Sequence, residues 1–236
     1  MFARWGAPLA LFVGAIFLYS LNLNRLPHHD ELYHILAARG ILEYGEPRIA
    51  DGLYERVYGF TWMLSRFFAV FGESLAIARV PPVLAMACLV ASLYVWLRNN
   101  VSNMAAGIGS ILFAVSPFVV DMALFTRFYS LQALLFFYGA VLVYAAIEVK
   151  PRCWYLFIPL STLSLLCAVY LQPTTLVGVV GMLLWVVFRL GIPRLISNDR
   201  RLVNLMFLLL VSVVLFLLAL WLGIVAKVWD LSLIHI

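Results

Sequence analysis

The chain has 236 residues, 65% of them hydrophobic and only 11% charged, with a mean hydropathy of +1.04. A soluble domain carries about 25% charged residues, so this composition excludes an ordinary water-soluble globule and points to a polytopic membrane protein. The formal net charge is +5, but the basic residues are dispersed between apolar runs, which excludes the basic stripe of a nucleic-acid binder and fits a positive-inside distribution.

The first predicted element is an apolar helix over residues 6–21, preceded by Arg4 and followed by Asn22 and Asn24. It is short for a span, which takes about 17–25 residues. Arg4 also suits the basic end of a signal peptide, yet no small-x-small cleavage site follows Leu18-Tyr19-Ser20 and further spans come later. An uncleaved anchor with a cytoplasmic N-terminus is therefore expected.

Residues 22–79 read as a long outer loop holding amphipathic helices. Asp30 is expected to cap one in which Leu32, Ile35 and Leu36 share a face. Gly45, Pro47 and Gly52 punctuate the stretch that follows. A second helical pattern covers residues 54–71, with Val57, Leu64, Phe67, Phe68 and Phe71 apolar and Glu55, Arg56 and Arg66 interspersed. Helices of this kind lie in the membrane interface. Seven of the eleven acidic residues fall in this loop, so the outer face carries the polar chemistry.

Six more spans follow. The second covers residues 80–97, entered through Pro81-Pro82, and the third 104–120. The remaining four are predicted over 131–149, 154–171, 176–190 and 202–228, giving an all-α transmembrane bundle of about seven spans in a single domain, 1–236. Alternating sides puts Arg4, Arg98, Lys150, Arg152, Arg189, Arg194, Arg200 and Arg201 inside, and leaves Arg127 as the basic residue of the short outer turns. Cys88, Cys153 and Cys167 lie in apolar runs without metal-ligand spacing and read as small buried residues. Residues 231–236 look like translated adapter sequence, so the chain is expected to be the N-terminal part of something longer.

Two polar clusters converge in this topology. One is Pro27-His28-His29-Asp30-Glu31, with adjacent carboxylates at the mouth of a membrane helix, costly there unless solvated, paired or used. The other joins Asp121, after Ser116-Pro117-Phe118-Val119-Val120, to Thr126-Arg127-Phe128-Tyr129-Ser130-Leu131. The plainer readings are a solvated loop with a capping Asp30 and a local Asp121–Arg127 ion pair. His28, His29 and His34 do not make a zinc-protease site: that motif needs His-Glu-x-x-His, whereas His29 and His34 are five apart and Glu31 follows no His directly. The aromatic run around Phe125, Phe128 and Tyr129 reads as an interface belt and helix packing.

The Asp30-Glu31 pair after the first span, the amphipathic outer loop, and Pro117-Phe118-x-x-Asp121 followed by Arg127-x-Tyr129-Ser130-Leu131 together resemble the GT-C glycosyltransferases. The likeness is to bacterial relatives of the protein O-mannosyltransferases and of the aminoarabinose transferase of lipid A, and it runs over residues 6–173. The chain departs from that pattern at Phe125, where relatives often carry Glu, and at Ser116, where they often carry His. The resemblance implies a bacterial inner-membrane enzyme whose active face is periplasmic. It would move a sugar from a polyprenyl phosphate to a hydroxyl of a lipid, glycan or protein, with inversion at the anomeric carbon. It implies Asp30 as catalytic base with Glu31 assisting, and Arg127, Tyr129 and Asp121 as the phosphate- and substrate-binding set. His28 and His29 are candidate auxiliaries, and Asp30 with Asp121 are candidate ligands of a divalent metal. A transporter or flippase, and a non-catalytic membrane subunit, are the rival readings.

Overall fold

Apolar patterning becomes helix along nearly all of the chain in the computed structural model, which describes residues 5–50, 52–149 and 154–196. By backbone proximity the chain divides into two compact units, Met1–Gln172 and Pro173–Ile236.

In the first unit α1 (Gly6–Ser20) leads to α2 (His29–Tyr44), a hairpin of β1 (Arg48–Ile49) and β2 (Gly52–Leu53), and α3 (Tyr58–Phe71). Then come α4 (Leu75–Asn100), α5 (Asn103–Val115), α6 (Pro117–Ala123), α7 (Tyr129–Tyr144) with a π turn at Ala145–Val149, and α8 (Trp154–Leu171). The described part of the second unit is α9 (Thr175–Ile196). Leu75–Asn100 and Tyr129–Val149 are long and apolar enough to cross a membrane, and α5 with α6 makes a third if the bent pair is one span. Helix α1, with 15 residues, is shorter. The expected seventh span, residues 202–228, and the tail at 231–236 lie outside the described residues.

Several boundaries differ from the sequence reading, each for a local reason. Helix α2 is capped by His28 and not by Asp30: the His28 ring Nδ1 accepts from the Asp30 N–H, and the Glu31 carboxylate accepts from the His28 N–H at 3.0 Å, a reciprocal capping box. Its far end stops at Gly45 in the left-handed conformation (φ 79°), which a residue without Cβ adopts freely. Helix α3 starts at Tyr58, because the preceding residues turn back as the hairpin that pairs Arg48 with Leu53.

Helix α4 begins at Leu75, five residues ahead of its expected start. Ser74 accepts from the Ile77 N–H at 3.2 Å and so nucleates the first turn; Pro81 and Pro82 end up inside the helix. The third expected span, 104–120, breaks at Ser116, since the residue before a proline is driven out of the helical region. There ψ is 128°, and α6 leaves at 64° to α5. The carbonyl of Ala114, left over at that break, accepts from the Tyr19 hydroxyl at 3.1 Å.

Ala15 and Tyr19 of α1, Met86, Ala87 and Val90 of α4, Ala114 of α5 and Val119 and Ala123 of α6 share one core. Helices α7 and α8 approach closely at Gly139, where a Cβ would stand 2.6 Å from Leu165 Cγ. Hydroxyls lock that crossing: Ser161 donates to the Gly139 carbonyl at 2.9 Å and Ser164 to the Leu135 carbonyl at 2.7 Å. The frame of α1, α4, α6 and α7 carries the polar clusters at one end.

Candidate functional site

The site is built around a carboxylate that is wholly buried. Glu31, in the first turn of α2, is reached by Arg79 from the second turn of α4, also wholly buried. Arg79 donates from Nε to Glu31 Oε2 at 3.2 Å and from Nη2 to both oxygens at 3.1 and 3.2 Å. Its Nη1 donates to the Leu23 and Arg25 carbonyls at 2.6 and 2.9 Å, fixing the link between α1 and α2. The same carboxylate accepts from the Thr126 N–H at 3.2 Å. One buried ion pair therefore ties together the chain before α2, the start of α2, α4 and the loop between α6 and α7. Charges taken out of water persist when their remaining donors and acceptors are satisfied in this way.

On either side of that pair stand Asp30 and Arg127. Neighbours in sequence of Glu31 and Thr126, they meet in an ion pair of 2.9 Å between Arg127 Nη1 and Asp30 Oδ2. The Asp30 side chain is 43% exposed and the Arg127 side chain 6%. Arg127 is sheathed by its own loop: its guanidinium lies 5.6–5.9 Å from the ring centroids of Phe125, Phe128 and Tyr129. Its Nη1 also donates to the Tyr129 hydroxyl at 3.3 Å, and its buried Nε has no hydrogen-bond partner among the described residues. The loop keeps its shape because Phe125 stacks on Tyr129 at an interplanar angle of 4°, and because Ser130 donates to the Met122 carbonyl at 2.8 Å.

The remaining expected site residues are placed differently. Asp121 does not pair with Arg127; it takes Arg25 at 2.6 Å, on an exposed rim. His28 is occupied as the helix cap, its ring edge-on to Phe125, and His29 lies edge-on to Tyr33 at the surface. Glu31 is enclosed and satisfied, so its part is to hold Asp30 and Arg127 in place, with no exposed edge for a substrate. Asp30 and Asp121 each face a guanidinium, and among the described residues no three His, Cys, Asp or Glu stand together. Each of the two carboxylates expected as metal ligands is thus already paired with an arginine.

Three participants escaped the sequence reading. Arg79 and Arg25 sit in an outer segment with many charges, and no spacing rule singles them out. The third is His34, buried beneath the pair. Its Nδ1 is 2.9 Å from Thr61 Oγ1, and the rings of Tyr54, Phe60 and Phe128 surround it edge-on. Burial first, then the nearby charges of Arg127 and Arg56, pull its pKa from 6.5 down to about 3, so it is a neutral imidazole at physiological pH. Its only sequence signal is its place on the face of α2 opposite Leu32 and Leu36.

Chemically, the arrangement offers a half-exposed carboxylate beside a guanidinium of low exposure, held by a rigid buried pair. Comparison of the chain with known protein families, with curated proteins and with solved structures gave no match.

Proposed function

We propose that the chain belongs to a membrane glycosyltransferase that takes a sugar from a polyprenyl phosphate and gives it to a hydroxyl acceptor. The observation that carries this reading is the Asp30–Arg127 pair: two residues 97 positions apart meet at 2.9 Å with the carboxylate half exposed. In the proposed reaction the acceptor oxygen forms a bond to the anomeric carbon as the bond from that carbon to the phosphate oxygen breaks. The bonding electrons leave with the phosphate, and the acceptor proton passes to the Asp30 carboxylate. Arg127 meets the charge growing on the departing phosphate, for which a guanidinium fork is better shaped than an ammonium. Tyr129, whose hydroxyl already contacts Arg127, orients that group. Attack opposite the leaving phosphate inverts the anomeric centre.

The same reading gives the chain about seven spans in a bacterial inner membrane, its N-terminus cytoplasmic and the Asp30–Arg127 end periplasmic, with α2 and α3 in the outer interface. It draws support from α3, which buries Phe60, Leu64 and Phe68 while leaving Tyr58, Trp62, Val70 and Phe71 exposed. Arg66 lies over the Trp62 ring. A second reading, a transporter, is favoured by one feature, the interrupted α5–α6 helix. Against it, Asp30, Asp121 and Arg127 stand at helix ends.

The test is transfer of labelled sugar from a polyprenyl-phosphate donor by the full enzyme in vesicles. Asp30→Asn is expected to abolish transfer while the protein stays folded and monodisperse. Transfer at the unaltered rate would remove Asp30 from the mechanism. Accumulation of unreacted labelled lipid on the opposite leaflet would favour the transporter.

A further inference from the structure

The ion pair between Arg25 and Asp121 is not used in the reaction above, yet it is unusually prepared for a surface contact. The Arg25 backbone is anchored from below by Arg79 Nη1 on its carbonyl at 2.9 Å. Its side chain reaches across to α6, donating from Nη1 to Asp121 Oδ1 at 2.6 Å and from Nη2 to the Asp121 carbonyl at 3.4 Å. The two side chains are 35% and 62% exposed, so solvent screens the attraction and the carboxylate is readily exchanged for another anion.

Beside the exposed Asn22 and Asn24, this pair is flanked by two strongly exposed apolar side chains. Leu26, the next residue after Arg25, is 91% exposed. Phe118, one helical turn before Asp121 on α6, is 70% exposed. Exposed apolar side chains also stand near the ends of two apolar helices: Phe17 on α1 with Leu21 just after it, and Leu112 and Val115 on α5. A leucine so exposed beside an anchored arginine has no partner within the described residues. Apolar side chains beside an exchangeable guanidinium suit an anionic lipid, and a phosphate headgroup offers the paired oxygens that a guanidinium fork takes.

We infer that Arg25, Leu26 and Phe118 form a docking point for the phosphate headgroup of a membrane-embedded lipid, with Asp121 occupying Arg25 until the phosphate replaces it. The inference takes the lipid-phosphate class from the reading above and adds the place where such a lipid engages from the bilayer. Arg25 forks onto two phosphate oxygens as it now meets the two oxygens of Asp121, and the chain of the lipid lies along Leu26 and Phe118.

The test uses the full chain in phosphatidylcholine nanodiscs doped with polyprenyl phosphate, with the lipid retained on the protein counted by native mass spectrometry. Arg25→Gln is expected to lower retention of the phosphorylated lipid by about tenfold, the scale of one lost charge-assisted contact. Leu26→Ser lowers it as well. Asp121→Asn raises it, because the competing carboxylate is gone, and this gain keeps the test decisive if Arg25→Gln fails to fold. Excess inorganic phosphate leaves retention unchanged. Undiminished retention in Arg25→Gln, a loss in Asp121→Asn, or displacement by inorganic phosphate would each overturn the inference. Retention by the unaltered protein no greater than that of phosphatidylcholine would also overturn it. Asp30→Asn separates the two claims: lost transfer with undiminished retention in Arg25→Gln sinks the docking point alone. Unchanged transfer in Asp30→Asn, with retention dependent on Arg25, sinks the catalytic assignment alone.

Discussion

Glu31 and Arg79, 48 residues apart, bury their charges against one another with three hydrogen bonds of 3.1–3.2 Å. Around the same carboxylate the N–H groups of His28 and Thr126 close the cluster. Asp30 follows one of these segments and Arg127 the other, so the spacing of the exposed pair is set by the hidden one.

Removing one charge of a buried pair strands the other. Glu31→Gln or Arg79→Met is expected to cost about 3–5 kcal/mol, while the two combined cost less than either alone. Thermal melts of the four proteins in one detergent check this. Equal and additive losses would mean that the two groups do not interact.

His34 gives a pH dependence with a definite sign. Its folded pKa of about 3 lies below the ordinary 6.5, so between these values the unfolded chain binds the extra proton. The stability tied to neutral His34 is fully present above about pH 6.5 and is lost as the pH falls towards 3. The melting temperature is expected to drop between pH 7.5 and pH 5, and His34→Asn is expected to shrink that drop. An equal drop in the variant would exclude His34 as its source.

Gly40 is the tight contact between α2 and the hairpin. A Cβ there would collide with the Arg48 carbonyl oxygen and stand 2.7 Å from the Arg48 nitrogen, both backbone atoms that cannot swing aside. Gly40→Ala is expected to destabilise the protein by about 1–3 kcal/mol. Gly14→Ala, where nothing lies within 4 Å, should leave the melting temperature level or raise it. Comparable losses at both positions would remove the steric explanation.

Arg127→Lys keeps the charge but loses the fork and the flat face that lies against Phe125, Phe128 and Tyr129. If Arg127 stabilises the departing phosphate, sugar transfer should fall on the order of 10²-fold. Initial rates with a saturating donor measure it, and a variant as fast as the unaltered enzyme would limit Arg127 to a structural part.

Much of the fold could be read from apolar run lengths, because helix is the form that satisfies the backbone of a strongly apolar chain internally. Asp30 and Arg127 drew notice for another reason: Asp30 sits in the dense polar cluster 28–31, and Arg127 is the basic residue of the short outer turns on the same expected face. Arg79 was not legible. It stands before Pro81-Pro82, which read as the entrance to a span, whereas the cap at Ser74 starts the helix earlier and carries Arg79 inside it. Asp121 suggested a partner six residues on, but the bend at Ser116-Pro117 turns α6 so that Asp121 meets Arg25. The arginines of residues 22–79 also blur a simple count of positive charge by side. Arg25, Arg39, Arg48 and Arg79 each meet a carboxylate, which offsets their charge locally.

The hub at Glu31 also orders events in time. Its three anchoring segments are residues 23–31, 79 and 126, so a nascent chain holding only the first hundred residues owns Asp30 and Arg79 but has no Thr126 to complete the cluster. Closing it joins partners up to 95 residues apart, a late and slow contact compared with the helical hairpins around it. The pairing of Asp30 with Arg127 is thus a readout of completed assembly: until α4, α6 and the start of α7 are all in place, the protein has the parts of its site but not the site.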